Sequence, residues 1–177
     1  QPGSAFKPFA LAAALNKGIS LNSTLVSAKL DAAKYGYEVN NYEDQYAGVV
    51  SLYEATVSSD NTAYVRLALE NNLIGRTAKM AHKMGIRTAL SENAAMVLGG
   101  LRVGVTPMEM AYAYSTFANG GRRADGTLAP DSGEPVAIER VSQGRRLFRK
   151  QRNKTKLRRV MNEQAASDAV SALQGVV

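Results

Sequence analysis

Ten of the 22 lysines and arginines in this 177-residue chain fall between Arg140 and Arg159, a window without a single aspartate or glutamate. Like charges at that density repel one another and cannot be buried unpaired. The window is therefore excluded from any core, and the fold has to be built from the rest of the chain. There 12 basic residues face 15 acidic ones, so the net charge of +7 is local. A nucleic-acid binder would spread its basic residues over a face. A single-strand binder would interleave aromatics, and this run holds only Phe148. No nucleic-acid partner is expected; the run reads as a solvated hairpin and loop, with docking to an anionic polymer, lipid headgroups or an acidic partner as its functional alternative.

With 45% hydrophobic and 21% charged residues, the chain as a whole suits one soluble globular domain. Cysteine is absent and His82 is the one histidine, which excludes a disulfide framework and a zinc site of the usual Cys/His kind; neither metal nor cofactor is expected. Uncharged stretches such as Pro8–Asn16 and Asn93–Leu101 fall far short of the ~20 apolar residues of a membrane helix. At Gln1 there is neither an initiator methionine nor a signal-peptide pattern.

Start and stop signals place the helices. Ala5–Lys17 reads as a helix with Ser4 near its start, Pro8 in its first turn and Gly18 at its end. Ile19–Val50 has no sustained period and is expected to be mostly irregular. Ser51-Leu52-Tyr53-Glu54 is a capping box opening a short helix that ends near Ser58. Ser59-Asp60-Asn61 interrupts it, and helical spacing resumes over Thr62–Asn71 and again over Arg76–Met84, which stops at Gly85. Thr106-Pro107-Met108-Glu109 is a second capping box, and its helix ends at Asn119-Gly120-Gly121. Val136–Val141 and Arg145–Phe148 read as a hairpin about Gln143-Gly144, running on into a basic loop expected to be mobile over Lys150–Arg158. Asn162 caps a last helix to about Gln174, closed by Gly175.

Two clusters could carry chemistry. Ser4 and Lys7, at i and i+3, share a helical face. A serine hydroxyl needs a neighbouring base to act as a nucleophile, and a lysine becomes one when burial disfavours its ammonium. A helix N-terminus also favours negative charge developing at Ser4. Alone, S-x-x-K reads first as a chance pair, since the spacing occurs in many helices. Ser59-Asp60-Asn61 follows 55 residues later. Ser59 could relay a proton and Asn61 could hold a carbonyl or the lysine, although by itself the triplet is equally a polar turn with Asp60 or Asn61 as helix cap.

Together these segments resemble the transpeptidase domain of penicillin-binding proteins, in the flavour of the bifunctional class A members. Gln1-Pro2-Gly3-Ser4-Ala5-Phe6-Lys7-Pro8-Phe9 is similar to the family's nucleophile motif. Gly48–Ala55 followed by Ser59-Asp60-Asn61-Thr62-Ala63-Tyr64 looks like its S-x-N region. Leu98-Gly99-Gly100 through Thr106–Ala111 to Gly121, and Arg159–Val177, are similar to later helices of the domain. The resemblance covers nearly the whole chain. It implies an α+β / α/β fold: the mostly helical part of a serine transpeptidase (β-lactamase-like) architecture, with a β-hairpin near 136–149 and most of the central sheet outside residues 1–177, a partial domain. It implies Ser4 as the acylated nucleophile, Lys7 as its base, Ser59 as a proton relay to the leaving group and Asn61 as a ligand of the substrate amide. The implied substrates are D-Ala-D-Ala stem peptides of peptidoglycan, with β-lactams as their mimics. The implied setting is extracytoplasmic, in a parent attached to the membrane with a glycosyltransferase domain upstream.

The sequence departs from that pattern in one respect. The signature pairs S-x-x-K and S-D-N with Lys-Thr-Gly. The nearest string here is Lys154-Thr155-Lys156, in the basic run. In the family that third motif binds the substrate carboxylate and brings half of the oxyanion hole, so the chain alone is expected to be weakly active or inactive. It is also expected to pair with a complementing chain, or to self-associate, over an exposed sheet edge. A related class A β-lactamase would need E-x-x-L-N, whereas Glu92 precedes Asn93-Ala94-Ala95-Met96. A non-catalytic β-lactam-sensing or scaffold domain is the other alternative. His82 is expected at or near the surface, Gly99–Gly104 in turns, and Met80, Met84, Met96, Met108 and Met110 in the core.

Overall fold

The computed structural model describes residues 1–36, 38–129, 134–143 and 148–176. Its centre is α1 (Lys7–Asn16), in which every residue from Lys7 to Leu15 is buried. A helix without a polar face must be enclosed on all sides. Here α5 (Ile74–Met84) and α8 (Glu163–Gln174) pack along it, with α4 (Asn61–Glu70) and α6 (Ala94–Val97) completing the ring. Ala10, Ala12, Ala13 and Ala14 let these helices approach, while Phe6, Phe9 and Leu11 fill the space between them. Phe9 meets Tyr114 of α7 (Pro107–Ala118) edge to face at 6.1 Å. Pro8 falls in the first turn of α1, where the missing N–H costs nothing, and Gly18 follows the last turn at φ +97°.

The helix boundaries follow the caps. Ser51 accepts the Glu54 N–H while the Glu54 carboxylate accepts the Ser51 N–H, opening α3 (Leu52–Val57). Thr106 and Glu109 repeat the arrangement at the start of α7. The Glu109 carboxylate also accepts from the backbone of Arg87 and Thr88, tying α7 to the end of α5. Asn162 caps α8 through the Ala165 N–H. His82 is exposed and its Nδ1 meets the Ile86 carbonyl at 2.7 Å. Of the methionines expected in the core, Met80, Met84 and Met96 are buried and Met110 half-buried, but Met108 is 73% exposed. As the second residue of α7 it projects outward, and Met161 is buried instead.

Strand was underestimated from the sequence. Ile19–Val50, expected to be irregular, holds β1 (Thr24–Ser27), a short α2 (Ala32–Tyr35) and β2 (Gly48–Ser51). β1 and β2 pair antiparallel, Thr24 opposite Ser51 and Ser27 opposite Gly48. β3 (Arg122–Gly126) was not anticipated; it pairs with β6 (Thr155–Arg159), in what was expected to be a mobile loop. The hairpin is displaced: β4 (Arg140–Gln143) pairs with β5 (Phe148–Arg152), and Val136–Glu139 are not strand. Gly144 and Arg145–Leu147 lie outside the described residues. The shift has a physical cause. Every residue of β6 is exposed, as are Arg140 and Val141 of β4, so no buried face pins the register and the backbone ladder sets it. All three pairings among the described residues are antiparallel, which puts the chain on the α+β side of the expected class.

The ladders set arginine opposite arginine at Arg122–Arg159, Arg123–Arg158 and Arg140–Arg152. Such pairs are unfavourable unless shared with an acid. Asp125, a buried residue of β3, serves Arg123 at 2.8 Å and Arg158 at 3.5 Å and accepts from Tyr112 of α7. Arg152, Lys154 and Lys156 are exposed and outside that network. Replacing all three by glutamine is expected to change stability by no more than about 0.5 kcal/mol per site. A large fall in melting temperature would show that they hold the ribbon together.

Candidate active site

Ser4 lies in a single 3-10 turn (Gly3–Phe6) that runs directly into α1, and Lys7 is the first residue of that helix. The turn is held from three sides. The Gln1 side chain pairs with the backbone of Leu101, donating to its carbonyl at 2.7 Å and accepting its N–H at 2.9 Å. Tyr114 donates to the Ala5 carbonyl at 2.6 Å. Gly99, at φ +75°, stands against the Gly3 backbone so closely that a Cβ there would lie 2.1 Å from the Gly3 oxygen.

The second cluster comes from the break between α3 and α4. Ser59 sits in the left-handed region at φ +56°, which turns the chain so that Asp60 caps α4 and Asn61 begins it. The two clusters meet at one atom. Lys7 Nζ lies 3.1 Å from Ser4 Oγ, 2.9 Å from Ser59 Oγ, 2.5 Å from the Ser59 carbonyl and 2.7 Å from Asn61 Oδ1. An ammonium has three hydrogens for those four oxygens. A neutral amine donates twice and accepts once, so Ser4 O–H can donate to it while Asn61 Oδ1 and Ser59 accept.

Lys7 is 4% exposed, and desolvation pulls its pKa from 10.5 down to about 8, against the opposing attraction of the Asp60 charge. The Tyr64 ring, 5.7 Å from Nζ, forms part of the wall that excludes water. Tyr64 is fully buried and its hydroxyl bonds Thr56 at 2.8 Å. Ser4, Ser59 and Asn61 open onto a cleft of about 600 Å³ whose far wall is Asn40, Asn41, Tyr42, Gln45 and Tyr46. The arrangement can activate a serine hydroxyl, return a proton by way of a second hydroxyl, and donate to a carbonyl from an amide.

Several residues of this site were not anticipated from the sequence. Asp60 accepts from Asn41 Nδ2 at 2.8 Å, Thr62 Oγ1 at 3.0 Å and the Ala63 N–H at 2.7 Å, and Ser27 of β1 also donates to it. Asn41 and Ser27 belong to the segment read as irregular, and only its cluster of Asn, Tyr and Asp hinted at a polar role. Glu92 does not line the cleft; its carboxylate lies against Gly75 at the start of α5. Lys154 lies in the β5–β6 connection and Thr155 and Lys156 open β6; none of the three lines the cleft. Among the described residues no group of three or more His, Cys, Asp or Glu side chains could hold a metal ion, and no helix is long and apolar enough to cross a membrane.

Known proteins share the sequence and fold of this chain. The penicillin binding protein transpeptidase domain matches residues 1–177. Penicillin-binding protein 1A of Neisseria meningitidis is 33% identical over 129 residues, covering 70% of this chain and 16% of that protein. The chain therefore spans about a sixth of the length of such relatives. Among solved structures, penicillin-binding protein 1A from Haemophilus influenzae superposes with a TM-score of 0.80 at 27% identity, over 99% of this chain and 29% of that one. The ceftriaxone acyl-enzyme complex of penicillin-binding protein A from M. tuberculosis gives 0.78 at 25% identity, over 99% and 42%. Fold, motif order and whole-length match converge, and the chain belongs to the penicillin-binding protein transpeptidase family.

Proposed function

We propose that residues 1–177 form the nucleophile-bearing part of a serine D,D-transpeptidase domain that cross-links peptidoglycan stem peptides and is acylated by β-lactams. The observation that carries this reading is the convergence of Ser4, Ser59 and Asn61 on the buried amine of Lys7. Neutral Nζ takes the Ser4 proton as Oγ attacks the carbonyl carbon of the D-Ala-D-Ala bond. The oxyanion develops beside the Ser4 N–H, one of the first-turn groups with no partner inside its own helix. As the C–N bond breaks, the Lys7 ammonium returns a proton through Ser59 Oγ to the departing D-alanine amine. The acyl group on Ser4 then passes to the amine of a second stem peptide. Asn61 holds the Lys7 amine with Oδ1 and offers an Nδ2 hydrogen to the substrate amide carbonyl.

The likeness to the ceftriaxone acyl-enzyme supports β-lactams as ligands of this site. The kinship with penicillin-binding protein 1A supports an extracytoplasmic parent attached to the membrane. The missing E-x-x-L-N setting, with Glu92 not lining the cleft, speaks against a β-lactamase-like hydrolase. Incubation with a fluorescent penicillin is expected to label the chain on Ser4, and Ser4→Ala to abolish the label. Because Lys-Thr-Gly does not occur in this sequence, labelling is expected to be about 10²–10³-fold slower than in a longer chain carrying that strand. Labelling that survives Ser4→Ala would overturn the nucleophile assignment. A complete lack of labelling in the longer chain would favour a non-catalytic scaffold.

A further inference from the structure

Asn41 lies in the connection between α2 and β2, outside the helices that carry the site, yet both ends of its side chain are engaged by them. Its Oδ1 accepts the backbone N–H of Asn61 at 2.9 Å and of Thr62 at 3.0 Å. These are the first two donors of α4, which a helix cannot satisfy from within. Its Nδ2 donates to Asp60 Oδ2 at 2.8 Å and to the Gln45 carbonyl at 3.0 Å. The carbonyl of its neighbour Asn40 accepts from Asn61 Nδ2 at 2.9 Å. The Asn61 amide is thus held at both ends, oxygen on Lys7 Nζ and nitrogen on Asn40. Rotated end for end, its NH2 would confront the Lys7 amine. One Nδ2 hydrogen is left to face the cleft.

We propose that Asn41 is a positioning residue for the Ser4 reaction: it fixes the start of α4 and the Asn40 carbonyl together, and so sets the direction of the Asn61 amide. Asn41 lines the cleft, but its polar atoms are spent on the protein, so it acts through Asn61 rather than on substrate. Only the kinetic arm of the test rests on the acyl-transfer reading above.

The first arm is NMR of the 15N-asparagine-labelled chain, with the Asn61 side-chain signals assigned by their loss in Asn61→Ala. The two Asn61 amide protons are expected to be well separated, with the one bonded to the Asn40 carbonyl slow to exchange. In Asn41→Ala both are expected to move to the shifts of a free asparagine amide, and the Asn40-bonded proton to exchange at least about tenfold faster. Should Asn41→Ala fail to fold, the exchanged pair Asn41→Asp with Asp60→Asn keeps the question open to measurement. An aspartate at 41 still accepts both N–H groups, and an asparagine at 60 donates back to it; the bond to the Gln45 carbonyl is given up, so the Asn61 signals should stay closer to native than in Asn41→Asp alone, which sets two carboxylates together and should lose them. The second arm is a double-mutant cycle on penicillin labelling. Asn41→Ala is expected to slow acylation by about 10²-fold when Asn61 is present and by less than about twofold in an Asn61→Ala background. Unaltered Asn61 amide signals in Asn41→Ala, or an equal loss in both backgrounds, would overturn the proposal. A native chain that never labels would count against the acyl-transfer reading, while the NMR arm still decides the role of Asn41.

Discussion

Replacing Lys7 with methionine is expected to slow acylation of Ser4 by a fluorescent penicillin by about 10²–10⁴-fold, the range that general-base catalysis typically supplies. Methionine keeps most of the buried stem and removes the amine on which Ser4, Ser59 and Asn61 converge. The pH dependence of the native chain follows from the same atom. Burial holds the amine pKa at about 8 instead of 10.5, so the lone pair becomes available as pH rises through about 8, and the labelling rate should climb there and level off above. A profile flat through that region would mean that Lys7 is not the base.

Stability carries a matching signature. The folded state binds the Lys7 proton less tightly than the unfolded chain does. Below about pH 8 both states carry it and the folded state bears the full desolvation penalty. Between about 8 and 10.5 the unfolded chain holds more protons, so this contribution to stability rises with pH. Its size is a few kcal/mol at most. Subtracting the pH–stability curve of Lys7→Met from that of the native chain should isolate the rise; a zero difference would remove the desolvated amine from the account.

The second large effect is expected at a residue with no reactive group. Gly99→Ala would place a Cβ 2.1 Å from the Gly3 carbonyl oxygen and 2.6 Å from its nitrogen. Those atoms are backbone and cannot swing aside, so the strand of chain leading into Ser4 has to move. A displacement of an ångström at a reacting group costs about 10²-fold in rate. Acylation should fall by that order, together with a backbone strain of about 1–3 kcal/mol from a non-glycine residue at φ +75°. Gly18→Ala is the control. It has φ +97° but nothing within 4 Å of the added carbon, so it should lower melting temperature and leave labelling intact. Equal losses of labelling in the two variants would show that Gly99 matters only for folding.

How much of this was legible without coordinates differs by element. The capping boxes Ser51–Glu54 and Thr106–Glu109, the Asn162 cap and the stops at Gly18 and Gly85 were read where they occur, because each is a contract between residues a turn apart. β1 and β2 were missed, since four-residue strands separated by a 20-residue excursion leave no period to detect. β3 and β6 were missed for another reason: their pairing sets arginine against arginine, which no pattern of side chains would suggest. The displaced hairpin belongs with them: Arg140, Val141, Gln151 and Arg152 are exposed, and apolar residues do not dictate its register.

The functional centre divides along the same line. Local chemistry named Ser4 and Lys7 as neighbours on one helical face, and motif order joined them to Ser59 and Asn61 as a family signature. Distance in the chain hid the rest. The depressed pKa of Lys7 exists because α1 is enclosed on all sides by helices from elsewhere in the sequence, and desolvation is a property of the assembled interior. Asn41, Ser27 and Gly99 act across 20, 33 and 96 positions: Asn41 on the Asn61 N–H, Ser27 on Asp60, Gly99 on Gly3. Short-range composition and spacing decided which residues could react. Packing of remote segments decided their orientation, their protonation and how little room they have to move, because hydrogen bonds and van der Waals contacts depend on separation in space and carry no mark of separation along the chain.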